Sequence, residues 1–138
     1  MNYLENLHVL RDAVAAEPEH LFGLATYEDH THCGTLHCTA GLAATMPYFQ
    51  AMGLHLVDGT PRIPGDPGDQ FLAQFALNTL FKAHPEHDPK EDVDVFDYLF
   101  AEAGAGLWDR TLREDLGDVS DKELALARLD KAIGYWNP

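Results

Sequence analysis

Apolar residues at Leu4, Leu7, Leu10 and Val14 recur every three or four positions, the spacing that lines one face of an α-helix. The pattern predicts an amphipathic helix over residues 3–16. Glu17-Pro18 closes it, because the residue before a proline is pushed out of helical backbone. Leu21, Phe22, Leu24 and Tyr27 follow without a clear period and read as irregular chain. Leu36 to Met46 is rich in Ala and Leu with Thr35 placed to cap it, so a second helix is expected there, its first turn carrying His37 and Cys38. Ala40, Gly41, Ala43 and Ala44 predict the close approach of a neighbouring helix, and Pro47 either kinks this helix or starts a new turn.

The period changes at Leu54-His55-Leu56-Val57. With Asp58-Gly59 and Thr60-Pro61-Arg62-Ile63 this reads as a β-hairpin, since Asp-Gly supplies the positive φ values of a tight hairpin turn and Pro61 confines its strand to an edge. After a loop at Pro64, Gly65, Pro67 and Gly68, Asp66 or Asp69 caps a helix with Phe71, Leu72, Phe75, Leu80 and Phe81 on its apolar side. Asp88-Pro89-Lys90-Glu91 has the form of a capping box, opening a helix with Val93, Phe96, Leu99, Phe100 and Ala103 that ends at Gly104 or Gly106. A second box, Ser120-Asp121-Lys122-Glu123, opens a last helix with Leu126, Leu129, Ile133 and Trp136 in one stripe. The expected fold is mainly α: one compact domain over residues 1–138, with about five helices and a small hairpin near 54–63.

Composition adds exclusions. The chain is 46% hydrophobic and 23% charged, the balance of a globule with a core rather than of a disordered segment. Nine Lys plus Arg against 23 Asp plus Glu give a net charge of −14, which argues against nucleic-acid binding, because phosphate contacts need cations gathered on one face. No basic leader precedes an apolar run, and no apolar stretch approaches the roughly eighteen residues that span a bilayer, so a cytoplasmic protein without a membrane contact is expected.

Residues 30–41 hold both cysteines and three of the eight histidines. Thiolate and imidazole are good zinc ligands, and His32, Cys33, His37 and Cys38 have permitted spacings, with four residues between the cysteines and four between the histidines. His30, Asp29, His84 and His87 are further donors within the same reading. Against it, a four-ligand site within seven residues is cramped and no second cysteine pair completes a knuckle. A reactive thiol is another reading, with Cys38 activated by a helix N-terminus and His37 or His32 as base, but no Asn or Asp is placed as an orienting third group. The plainest account is two buried apolar thiols beside loop histidines. A disulfide is not expected in a reducing compartment. On one helix the two cysteines would stand about 7.5 Å apart in rise, beyond the usual reach of about 7 Å.

The string Cys33-Gly34-Thr35-Leu36-His37-Cys38-Thr39-Ala40-Gly41 resembles the C-G-T-x-x-C-x-A-G signature of a family of small uncharacterised bacteriophage and prophage proteins. The resemblance extends to element order over most of the chain, with Leu80-Phe81 and Leu99-Phe100 as candidates for a Leu-Phe element. Leu42 stands where family members commonly show Trp. It implies a phage or mobile-element origin and a helical fold. It implies no activity, and His32 and His37 are not part of the pattern.

Between residues 86 and 102, Glu86, Asp88, Glu91, Asp92, Asp94, Asp97 and Glu102 stand against Lys90 alone. Such a run is commonly a solvated helix face, its first-turn acids matching the helix dipole. It is also a surface able to steer a cationic partner. Trp108 and Trp136 are candidate interface anchors, core packing being the commoner role. With no assembled catalytic set, the expectation is a non-enzymatic, acidic, phage-type accessory protein without a cofactor. It would bind and modulate a host protein with a basic surface, a defence or nucleic-acid-processing factor, through Glu86, Asp88, Glu91, Asp92, Asp94, Asp97 and Trp108. The alternative is a zinc metalloprotein, a hydrolase among its forms, using the cluster at 30–38.

Overall fold

The structure, a computed structural model, describes residues 2–24, 28–31, 34–57, 60–65, 74–86, 95–101 and 104–137. The first helix, α1 (Tyr3–Ala16), forms where its apolar period places it, with the Asn2 side chain accepting from the Glu5 amide at 2.9 Å. Leu7, Leu10 and Val14 are fully buried, and their face packs along the last helix, α6 (Asp121–Trp136). Asn6, also fully buried, is satisfied from both sides. Its amide donates to the Leu80 carbonyl at 2.7 Å and its oxygen accepts from the Tyr48 hydroxyl at 2.9 Å.

Ser120 caps α6 as its capping box predicts, accepting from the Glu123 amide at 3.2 Å. The same end holds the preceding chain: the Ser120 hydroxyl donates to Glu19 at 3.0 Å and Asp121 accepts from the Leu24 amide at 3.0 Å. The buried stripe of α6 is Leu124, Ala125, Arg128, Leu129 and Ala132, with Leu126, Ile133 and Trp136 only partly buried at its margins. The expected stripe is therefore rotated around the helix. Arg128 sits at its centre, where the apolar period gives no reason to expect a cation.

Residues expected to begin the second helix are instead a strand. Glu28–Thr31 (β1) and Gly34–His37 (β2) pair antiparallel, Glu28 opposite His37 and Thr31 opposite Gly34. Helix α2 is thus confined to Thr39–Ala44, and its cap is Cys38 rather than Thr35. All six of its residues are buried, and it touches α1, the following turn and the second hairpin, which is why small side chains fill it. Pro47 starts a separate turn, α3 (Pro47–Gln50), at the position where its missing N–H costs nothing.

The hairpin near 54–63 is present as β3 (His55–Val57) and β4 (Thr60–Arg62), with Leu56 opposite Pro61. Asp58-Gly59, its expected turn, lies outside the described residues. Gly53, at φ 99°, leads in; a Cβ there would come 2.5 Å from Pro64 Cδ. Helix α4 (Gln74–Leu80) delivers Leu77, Leu80 and, just past its end, Phe81 to the core. The cap and apolar residues expected at Asp66, Asp69, Phe71 and Leu72 lie outside the described residues, as do Asp88-Pro89-Lys90-Glu91, Val93 and Ala103.

Residues Phe96–Phe100 form a wide π-helical turn, and the chain leaves helical backbone at Ala101 (ψ 161°), before the glycines expected to stop it. Phe49, Phe81 and Phe100 pack in sequence at tilted angles, with ring centres 5.2 and 5.3 Å apart. Burying each such ring contributes about 1.5–3 kcal/mol, with about 0.5–1.5 kcal/mol more per ring pair. One further helix, α5 (Asp109–Leu116), is absent from the sequence expectation and packs on α6. The fold is mainly helical, as expected. No helix among the described residues is long and apolar enough to cross a membrane.

Candidate functional site

Helix α5 begins with two neighbours that face opposite ways. Asp109 is 1% exposed and Arg128, opposite it on α6, is 0% exposed. Arg128 Nε donates to Asp109 Oδ1 at 2.8 Å and Nη2 to Oδ2 at 2.5 Å, a two-pronged pair. Its remaining Nη1 donates to the Ala101 carbonyl at 2.7 Å. Asp109 Oδ2 also accepts from the Gly104 and Gly106 amides, at 2.9 and 3.1 Å. Burial alone would push this carboxyl up; Arg128 and the two amides outweigh it and hold Asp109 below its ordinary value. The pair joins the end of the π-helical turn, the 104–106 loop, α5 and α6. Gly106 must lack a side chain, because a Cβ would fall 2.7 Å from Asp109 Oδ1 and 2.8 Å from Arg128 Nη2.

Trp108, the other neighbour, is half-buried against the edge of the core, with its indole in a row of rings that reaches the exposed Tyr135. Tyr98 lies 5.0 Å from it and Tyr135 5.8 Å, and Tyr135 in turn meets the His84 imidazole at 4.5 Å. The Lys131 ammonium stands over this row, 5.5 Å from the Trp108 ring centre and 5.7 Å from that of Tyr135. Tyr135 is 41% exposed and Leu107, beside Trp108, is 62% exposed. The Leu107 amide donates to the Asp97 carbonyl at 2.8 Å, which ties the start of the row to an exposed acid. At its other end the amide of Glu86, also exposed, donates to His84 Nδ1 at 3.0 Å.

Of the seven residues proposed from sequence for partner contact, Trp108 lies in this row, and Asp97 and Glu86 join its two ends through main-chain atoms. Asp88, Glu91, Asp92 and Asp94 lie outside the described residues. Trp136, the other candidate anchor, is committed to the fold: its indole donates to the Lys82 carbonyl at 2.8 Å and its ring lies 5.9 Å from Tyr3. The residues that sequence reading missed are Tyr98, Tyr135 and Lys131, and His84 was named only as a possible metal donor. Lys131 and Tyr135 carry a signal in retrospect, since residues four apart lie on one face of α6.

Of the metal candidates, His32 and Cys33 lie outside the described residues, and His37 is placed only as the last residue of β2. Cys38 is 2% exposed, and its sulfur accepts from the Gly41 amide at 3.4 Å as the cap of α2. Burial pushes this thiol up to about 11 against the lowering effect of the backbone amides. The helix end is thus outweighed by desolvation, which goes against the reactive-thiol reading of Cys38 and with that of a buried apolar thiol. Among the described residues no three His, Cys, Asp or Glu side chains are grouped to hold a metal ion.

A separate open groove of about 340 Å³ runs along α6, its sides including Leu116, Val119, Leu126 and the Arg11–Asp130 ion pair at 3.0 Å. Comparison with protein-family models, curated proteins and solved structures finds no match to the chain.

Proposed function

We propose that this chain is a non-enzymatic binding protein that modulates a partner with a basic surface. Its contact face is the ring row from Tyr98 through Trp108 to Tyr135, bordered by Asp97 and Glu86. The observation that supports this reading is Trp108, a sequence candidate, in a partly exposed row of rings whose ends are joined by the main chain of two others, Asp97 and Glu86. Aromatic anchors supply contact area at low entropic cost, and a net charge of −14 steers a cationic protein toward them. The resemblance to small phage proteins gives the partner a setting, a host protein in the host cytoplasm whose action the chain alters.

The test is capture of partners from a bacterial lysate at low salt by the full chain and by Tyr135→Ser, a substitution at an exposed ring. The expected result is a basic protein retained by the parent chain, released by salt and lost from the variant. Failure to retain any protein at low salt would overturn the reading, and so would equal retention by the variant.

A further inference from the structure

The ring row is already occupied by a cation. Lys131 Nζ sits within 6 Å of both the Trp108 and Tyr135 ring centres, the range in which a ring's negative face attracts an ammonium group. Among the described residues no carboxylate pairs with it at ion-pair distance. The ammonium is tethered by a flexible four-carbon stem and strongly hydrated, whereas a guanidinium is planar, more weakly hydrated and stacks on ring faces. Trp108 is half-buried and fixed at the start of α5 by its neighbour Asp109, so the shelf holds its shape when Lys131 leaves. The net charge of −14 matches a segment carrying more than one cation.

We propose that the Tyr98, Trp108 and Tyr135 rings form a shelf for an arginine side chain of a basic peptide segment, and that Lys131 is the internal occupant which that arginine displaces. The inference rests on the binding reading above and names the chemistry of its partner. Lys131 weakens binding by competing for the ring faces, so its removal strengthens it. The size of the effect is that of one surface cation–π contact, about two- to five-fold in affinity.

The probe is a short blocked oligo-arginine peptide, with the same peptide in citrulline as its neutral isostere. The readout is the indole N–H resonances of Trp108 and Trp136, assigned with Trp136→Phe. The arginine peptide is expected to move the Trp108 resonance and leave that of Trp136, which is hydrogen-bonded to Lys82, in place; the citrulline peptide is expected to move neither. Lys131→Met removes a charge as well as an occupant. Its affinity is therefore compared with that of Lys122→Gln, which removes the same charge from the first turn of α6, far from the rings. Lys131→Met is expected to bind about two- to five-fold tighter than that control, and Tyr135→Ser about two- to five-fold more weakly than the parent. Peptide binding that leaves the Trp108 resonance unmoved, or equal affinity of Lys131→Met and Lys122→Gln, would overturn the shelf and leave an acidic binding protein standing. Absence of any binding to the peptide at low salt would overturn both.

Discussion

Arg128 and Lys131 are one turn apart on α6, and each is held by a residue at the start of α5, yet their surroundings differ in every respect that governs energy. The guanidinium of Arg128 is sealed from water and meets a carboxylate, two of whose other bonds come from backbone amides. The ammonium of Lys131 stands at the surface over rings that make no hydrogen bond to it. A buried pair is little screened by salt, and deleting one member leaves the other uncompensated. A surface cation over a ring contributes about 0.5–1 kcal/mol and exchanges with solvent at little cost. The same two helices thus carry one cation that fixes the fold and another that a partner can replace.

The largest effect is expected where the buried pair is broken. Arg128→Met should destabilise the chain by about 3–5 kcal/mol, read from urea unfolding, because Asp109 then stays buried without its counter-charge. Replacing both members, Arg128→Met with Asp109→Leu, should recover part of that loss. It should not recover all, since the buried Gly106 amide and Ala101 carbonyl lose their side-chain partners. Full recovery would mean that the pair does not organise the loop it touches.

Gly106→Ala comes next, at about 1–3 kcal/mol by the same measurement, as the added methyl must displace two charged groups already locked in place. A neutral result would show that the loop yields more easily than the four-way hydrogen bonding implies.

The capping thiol gives a smaller effect, with a defined pH window. Cys38 in the folded chain sits near 11, above its ordinary 9.0, so its contribution to stability is complete below pH 9 and is lost as pH rises from there through about 11. In a Cys33→Ser background, iodoacetamide should modify Cys38 at neutral pH only as fast as the chain opens. Rapid labelling of the folded protein would contradict the burial that sets its protonation.

The contrast between the two cations also explains what the sequence made legible. Helix α1 and the Ser120 cap of α6 were readable because their signals are local: an apolar stripe ending at Glu17-Pro18, and a serine three residues before a glutamate. The phase of α6 was not, because an arginine in a helical pattern reads as solvent-facing, and only a distant carboxylate reverses that. The β1–β2 pair was missed since Glu28-Asp29-His30-Thr31 shows no apolar alternation, and α5 since, apart from Asp109, only Leu112 on it is buried. At the surface site, Trp108 and the acids Glu86 and Asp97 were individually visible as candidates. The row that Trp108 belongs to depended on Tyr98 and Tyr135, which come from different elements and carry no shared spacing.

At the surface, Lys131→Met should cost no more than about 1 kcal/mol, the small end of the comparison. A loss near that of Arg128→Met would erase the distinction between the two cations.

The most direct test of the account is the affinity of Tyr135→Ser for the oligo-arginine peptide, measured by calorimetric titration beside its own thermal unfolding. The account predicts a variant still folded at the temperature of the titration, its unfolding midpoint lower by several degrees at most, with binding about two- to five-fold weaker. Unchanged affinity in a fully folded variant would contradict it.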